Sequence, residues 1–447
     1  MSFPRYPKYK PSGVEWLGEV PQHWEVWKLA HAFALIASGT TPKTDNREYY
    51  DDGDIPWINT GDLNDGELED CGKRITARAL ADHTSLKLYP AGSLLIAMYG
   101  ATIGKLAMLR FPATVNQACC VFAGASPIVS KFMFYWFLGL RQQILSLATG
   151  GGQPNVSQDI LRTLRVGCPD QAEQTTIASF LDRETSKIDG LVGEQRRLIE
   201  LLKEKRQAVI SHAVTKGLNP HAPLKPSGIE WLGDVPEHWE ARTIAKASTK
   251  ITNGYVGPIS DKLVETGTPY IQATHIKGGR VNFDDGYFVT PEWSNAHAKS
   301  ILAEGDVLIV QTGAGTGDVG LVSANEVGFN CHALIIVAAN KSLLRGTFLS
   351  AVLQSTYGQA KLSSIQTGAM HPHLNCGEVK FVEIPLPPLA EQAEIVSYIR
   401  DAANRFDALT AEAARGIELL QERRTALISA AVTGQIDVRG LVETEAA

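Results

Sequence analysis

IELLKEKRQAVISHAVT, residues Ile199–Thr215, returns as IELLQERRTALISAAVT, residues Ile417–Thr433. The offset is 218 residues, and AEQTTIASFLDRE (Ala172–Glu184) matches AEQAEIVSYIRDA (Ala390–Ala402) at the same offset. In the first copy Ile188, Leu191, Gln195, Leu198, Leu202, Lys205, Val209 and His212 follow alternating three- and four-residue steps, the a/d spacing of a coiled coil. Shifting by 218 gives Phe406, Leu409, Ala413, Gly416, Leu420, Arg423, Leu427 and Ala430. Gln195, Lys205, Gly416 and Arg423 interrupt the stripe, while Arg196, Arg197, Glu200, Lys203 and Glu204 lie on other faces, as on a solvated surface. Two unrelated surface helices would also fit the pattern. The duplication favours pairing, because two near-identical amphipathic helices in one chain have a partner in each other. The expected apolar seam is Ile188, Leu191, Leu198, Leu202 and Val209 against Phe406, Leu409, Leu420 and Leu427.

Working outward, the repeat extends to the whole chain. PSGVEWLGEVPQHWE (Pro11–Glu25) recurs as PSGIEWLGDVPEHWE (Pro226–Glu240), a proline- and tryptophan-rich strap. Between strap and helix the copies align more weakly. LYPAGSLLIAMYGATIGKLAML (Leu88–Leu109) lies over ILAEGDVLIVQTGAGTGDVGLV (Ile301–Val322), and ATGGGQPNVS (Ala148–Ser157) over QTGAMHPHLN (Gln366–Asn375). Short apolar runs such as SLLIAM, VLIVQT, ALIIVA and KFVEIPL, set between Gly- and Pro-rich turns, read as strands. SKFMFYWFLGLRQQILSLA, Ser130–Ala148, reads as a buried helix. A period above 200 residues marks a duplicated two-domain unit, not a solenoid. The expected fold is α+β, with two α/β domains in tandem pseudo-twofold repeat and two long helices forming an antiparallel coiled-coil spacer. Expected boundaries are a strap at 1–28, a first α/β domain at 29–168, a central helical region at 169–218, a second strap at 219–241, a second α/β domain at 242–384, a C-terminal helical region at 385–436 and a tail at 437–447. Trp16, Trp24, Trp231 and Trp239 are expected to pack each strap on its own half; a partner surface is the alternative use.

Composition narrows the function. With 447 residues the chain is too long for one core. The richest apolar run, FMFYWFLGL at Phe132–Leu140, is too short to cross a bilayer, and MSFPRYPKYK lacks a signal core, so a cytoplasmic protein is expected. The six cysteines include no CxxC pair, which gives no signal for a zinc ribbon or a thioredoxin-like site. A net charge of −6 means that any nucleic-acid contact must rest on local basic groups or on a partner.

Three motifs attract attention and fail on spacing or context. GATIGK (Gly100–Lys105) has three residues between its glycines, where a phosphate-binding loop needs four, and Leu106 follows the lysine. GTGDVG (Gly315–Gly320) precedes an apparent strand, not a helix, and reads as a turn. HPHLNC offers His371, His373 and Cys376 as metal ligands, but the first copy has Gln153, Asn155 and Gln158 there; a polar loop that varies between copies fits better, and no metal site is expected. No convincing catalytic cluster appears, so the sequence reads as a binder.

Strap, GTTP followed by IPWI, AGSLLIAMYGATIGK and PLPPLAEQ, in this order and with a second copy of the unit, resemble the specificity (S) subunit of type I restriction–modification systems. The resemblance covers essentially the whole chain. It implies two target recognition domains that each read one half of a bipartite DNA sequence, and an antiparallel helical spacer that sets the gap. A helix of roughly 30 residues spans about 45 Å, on the order of 13 base pairs. It also implies partners: double-stranded DNA, methyltransferase (M) subunits, two in number, and restriction/translocase (R) subunits joined through M. No catalysis and no cofactor are implied for this chain; S-adenosylmethionine, ATP and Mg belong to the partner subunits. Dissimilar middles imply an asymmetric target. Base edges are read by polar side chains on protruding elements, and phosphates by cations, hydroxyls and amides. The candidates are Thr40, Thr41, Lys43, Tyr99, Thr102, Lys105, Gln153 and Asn155 in the first half. In the second they are Asn253, Tyr255, Thr274, His275, Lys277, Thr312, Thr316, His371 and His373. Ordinary solvated loops are the alternative for each. A helical adaptor that reads no DNA is the rival function, and a nucleotide-dependent enzyme is a second rival.

Overall fold

The computed structural model describes residues 3–149, 154–284, 286–368 and 372–441. They form two compact units: the chain up to Gln195 together with the chain from Arg415 on, and Arg196–Ala414. Each unit takes one α/β block, one part of the central helix (Gln171–Lys216) and one part of the C-terminal helix (Leu389–Val432).

In the first unit β1 (Phe33–Ser38), β2 (Gly66–Leu68), β3 (Leu94–Ala97), β4 (Leu106–Leu109) and β5 (Cys119–Ala125) form a sheet in the order β1-β5-β3-β4-β2. Neighbours are antiparallel except β2 and β4, which run parallel. The strands read as unbroken apolar runs because both faces are covered. Phe33, Ile36, Leu94, Ile96, Leu106 and Phe122 face a core shared with Phe132, Trp136 and Phe137. Leu95, Ala97, Ala107, Leu109 and Val121 face a second core with Ile58, Tyr89 and Val115. The second unit repeats the order with β6 (Ser248–Asn253), β7 (Ile276–Lys277), β8 (Gly279–Val281), β9 (Val307–Val310), β10 (Val319–Leu321) and β11 (Leu334–Ala339), arranged β6-β11-β9-β10-β8-β7. The expected single helix over Ser130–Ala148 is two, Ser130–Gly139 and Arg141–Ser146, broken at Leu140. Its counterpart breaks at Ser355, whose hydroxyl caps the following helix by accepting from Gly358 N–H at 3.1 Å.

The AEQ that opens each long helix explains how strap, block and helix hold together. Gln174 is 1% exposed, and its Oε1 accepts from Val129 N–H at 2.7 Å while its Nε2 donates to Pro169 O at 2.9 Å. Gln392 is 0% exposed and does the same with Arg345 N–H (2.8 Å), Leu343 O (2.8 Å) and Pro387 O (2.9 Å). Val129 and Arg345 are N-cap residues that offer no side-chain cap, so the amide reaches in from the neighbouring helix. The preceding glutamate takes the strap. Glu173 accepts from Tyr6 Oη (2.6 Å), Trp24 Nε1 (3.1 Å) and His23 Nε2 (2.8 Å), and Glu391 pairs with His238 Nε2 (2.8 Å). Trp24 and Trp239 are both fully buried, and of the two only Trp24 bonds the glutamate. Trp16 and Trp231 correct the expectation: they remain 40% and 57% exposed, the first edge-on to Trp136 and the second under the Lys361 ammonium at 4.6 Å.

The long helices pair, but in a shifted seam. Ile188 and Val192 share a core with Leu427, Ile428, Ala431 and Val432, whereas Leu191 is 53% exposed. Leu198 (42%) and Leu409 (48%) are likewise exposed; Ile199, Thr410 and Ile417 lie nearer the seam. The buried steps run four-three, not three-four, and the shift is the same in both helices. Ile188, Leu202, Phe406, Leu420 and Leu427 stay in the seam, with Val209 half-buried. The ambiguity is chemical, because Leu191–Val192 and Leu198–Ile199 are apolar pairs that satisfy either frame. Arg424 donates to Asp189 at 3.2 Å in the first unit, and Arg206 to Asp407 at 3.0 Å in the second. These four are themselves related by the 218-residue offset, and they join early residues of one helix to late residues of the other, as antiparallel helices require. Exposed pairs of this kind contribute little stability, but they suit only this register. Val192→Gln should therefore cost about 2 kcal/mol or more in urea unfolding, and Leu191→Gln no more than about 0.5 kcal/mol. Equal losses would restore the three-four seam.

Candidate nucleic-acid interface

The sheet register places several loops on one edge of each unit. In the first, Ser38 lies opposite Cys120, Cys119 opposite Ala97, and Ile96 opposite Leu106. The end of β1, the end of β3 and the starts of β4 and β5 thus lie together. From this edge project Thr40–Lys43, the Tyr99–Lys105 hairpin and Gln117. The hairpin is tight: Gly104 N–H donates to Ala97 O at 2.8 Å, and Gly100 and Gly104 hold φ of 86° and 77°, which favour glycine. The loop around Asn155 is tied to it, with Val156 N–H donating to Met98 O at 2.9 Å and Asn155 bridging both Tyr99 and Thr149. Thr41 Oγ1 donates to Gln117 Oε1 at 2.6 Å, and Thr40 O accepts from Trp57 Nε1 at 3.3 Å, which anchors the start of this loop. Tyr99, Thr102, Lys105 and Asn155 are brought together, and Lys43 and Lys105 are exposed without an ion pair among the described residues. Gln117 is exposed beside Thr41, and nothing in the sequence alone marks it.

The second unit builds the same edge. Gly317 N–H donates to Val310 O at 2.9 Å, and Gly313 and Gly317 hold φ of 97° and 95°. Thr312 bridges His373, and Thr316 Oγ1 donates to Gly313 O (2.7 Å) and Pro372 O (3.1 Å). So Thr312 meets His373 as Tyr99 meets Asn155, and Thr316 ties the second hairpin to the same loop. Both hairpins join antiparallel strands, β3 to β4 and β9 to β10. GATIGK therefore lacks the strand-to-helix setting of a phosphate-binding loop. Among the described residues no group of three or more His, Cys, Asp or Glu is placed to hold a metal ion.

Other candidates sit differently. Asn253 ends β6 half-buried and accepts from the Cys376 thiol. The Tyr255 ring packs against Trp293 and His297, with centroids 5.1 and 5.0 Å away, in a cluster that also includes His332, whose pKa burial lowers. Thr274 is exposed on a short 3-10 turn. His275 is a correction: it is 7% exposed, its Nδ1 accepts from Gln272 N–H at 2.8 Å, and its ring lies 5.5 Å from Phe283. The first unit has Asp62 in the same capping role over Asn59. An imidazole spent on a cap and covered by protein presents no edge to a base. Gln153 and His371 lie outside the described residues.

Known proteins share this arrangement. Residues 21–200 and 232–419 match the family described as type I restriction modification DNA specificity domain. The chain is 23% identical over 429 residues to the type I restriction enzyme MjaVIII specificity subunit of Methanocaldococcus jannaschii, spanning 94% of this chain and 95% of that protein. It is 21% identical over 442 residues to the EcoKI specificity subunit of Escherichia coli strain K12, spanning 95% and 92%. A chain from a solved type I R-M system superposes with a TM-score of 0.70 at 16% identity, covering 92% of this chain and 98% of that one. The HsdS subunit of Thermoanaerobacter tengcongensis superposes at 0.53, also at 16% identity, covering 93% and 98%. At such identity both structures speak for the fold.

Proposed function

The chain belongs to the type I restriction modification DNA specificity family, and from that membership we propose that it reads an asymmetric bipartite DNA target and docks two methyltransferase subunits. It is the specificity subunit of a type I restriction–modification system, a non-catalytic component. The observation that carries the reading is the duplicated sheet edge: one scaffold, two sets of dissimilar polar loops. Thr40, Thr41, Lys43, Tyr99, Thr102, Lys105, Asn155 and Gln117 serve one half-site, and Asn253, Thr274, Lys277, Thr312, Thr316 and His373 the other. The half-sites differ because the loops do.

Methylation and cleavage belong to the partners, which supply S-adenosylmethionine, ATP and Mg²⁺; the complex works on DNA in the cytoplasm. No helix among the described residues is long and apolar enough to cross a membrane. The shifted seam leaves leucines for docking. Leu191 (53%) and Leu419 (56%) are exposed in the first unit, and their 218-offset equivalents Leu409 (48%) and Leu201 (50%) in the second. One such pair per unit fits one methyltransferase per unit. Leu191→Gln protein, stable by the seam argument, should lose capture of its methyltransferase in a pull-down; undiminished capture would move docking elsewhere.

Lys105→Ala should weaken binding to every duplex sequence and lower the slope of log K against log salt by about 0.9. An unchanged slope would remove Lys105 from the interface. The deciding experiment is single-molecule sequencing for N6-methyladenine in a host expressing the methyltransferase with and without this chain. A new asymmetric bipartite motif that appears only with the chain is expected, and exchanging residues 29–165 for another reader's block should change one half only. A stable complex with no motif would make the chain an adaptor.

A further inference from the structure

The two units carry opposite charge at one equivalent turn. After matching short helices, Thr60–Asp62 and Ala273–His275, each chain segment turns into the strand that runs parallel to a hairpin strand: β2 along β4, and β8 along β10. The turn reads Asn64-Asp65-Gly66-Glu67 in the first unit and Lys277-Gly278-Gly279-Arg280 in the second. In the first, both carboxylates are spent internally. Asp65 accepts from Arg141 Nη1 at 3.1 Å, and Glu67 pairs with Arg110 (3.0 Å) and Lys131 (3.1 Å). In the second, Lys277 and Arg280 are exposed cross-strand partners with no ion pair to any described residue. Like charges directly opposite each other repel, so the hairpin is built with an uncompensated cation pair at its tip.

We propose that the Lys277–Arg280 turn of the second unit is a clamp for a DNA backbone phosphate, and that the first unit has no counterpart. The claim rests on the DNA-reading function above and adds that the halves grip through different elements, the first through Lys43 and Lys105 of its loops and the second through this turn. Position supports it, since β8 starts at the edge from which the Thr312–Thr316 hairpin projects. Shape supports it too. Gly278 and Gly279 hold φ of 58° and 82°, and a Cβ at Gly278 would meet nothing within 4 Å, so an oxygen can approach the backbone there. A Cβ at Gly279 would come 2.2 Å from Gln354 Oε1, so the helix behind buttresses the turn. Beside it lies a groove of about 360 Å³ lined by Lys203, Arg206, Lys277, Gly278 and Gly279, with Asp318 as its one carboxylate. Lys203 and Arg206 are held by Glu200 (2.8 Å) and Asp407 (3.0 Å), which leaves Lys277 and Arg280 to meet the phosphate.

The test is a salt titration of the full chain with a dye-labelled random-sequence duplex, read by anisotropy. Lys277→Ala with Arg280→Ala should lower the log K against log salt slope by about 1, at about 0.9 per phosphate neutralised. The charge-keeping exchange Lys277→Arg with Arg280→Lys should retain the slope, which separates charge from a folding defect. If the wild type binds and the alanine pair leaves its slope intact, the clamp is wrong while DNA reading stands; loss of methyltransferase capture in that same protein would assign the turn to protein docking instead. If the exchange loses the slope as the alanines do, charge is not the cause and the clamp falls. A wild type that binds no duplex at any salt sinks the DNA reading, and the clamp with it.

Discussion

Two buried amides, Gln174 and Gln392, decide how each unit closes. Each satisfies backbone groups on both sides of a junction: the N–H at the start of a domain helix and the carbonyl just before its own long helix. Buried polar groups that are fully partnered specify one arrangement, because losing a partner leaves a desolvated group uncompensated. The glutamate before each amide adds the strap. Local chemistry in three residues, Ala-Glu-Gln, thus sets the direction in which a helix of more than forty residues leaves its domain. Everything that depends on the helix, including its pairing and its exposed leucines, follows from that junction.

The duplication and its consequences were legible in sequence because they are long-range and redundant. Two copies of strap, strand runs and helix cannot arise from local propensity alone. The helix seam was legible as a seam but not in its frame, since Leu191–Val192 and Leu198–Ile199 give both frames an apolar residue. Packing chose the frame: Val192 is buried in the core that also holds Leu427 and Ile428, and Leu191 meets solvent. Side-chain period cannot make that choice when adjacent positions have the same polarity.

The candidate edge was legible in its hairpins and less so around them. Tyr99, Lys105, Thr312 and Thr316 follow strands whose apolar runs were plain, so the loops that leave them were easy to find. His275 was misjudged for a physical reason. It replaces Asp62 of the first copy, and either side chain can accept the same N-cap hydrogen bond. A histidine in a polar loop looks like a reader until its acceptor role is seen. Gln117 escaped notice because it sits before a strand, and only the sheet register carries it beside Thr41.

Duplication also explains how the two edges can diverge without loss of fold. The strand order, the hairpin glycines and the buried amides are kept in both units, and they lie away from the loop tips. The turn before β2 satisfies its carboxylates inside the unit, while the turn before β8 leaves its cations outside. Neither choice alters the parallel pairing that follows it. A chain of net charge −6 can therefore set its exposed cations on different elements of the two edges, Lys43 and Lys105 on one and Lys277 and Arg280 on the other. Exposed cations act over about a Debye length of 8–10 Å at ordinary ionic strength, so each edge presents its positive charge only at close range. Under the proposed DNA reading, an acidic subunit would meet the duplex through these local cations, and shape and base contact at each loop set would select the sequence.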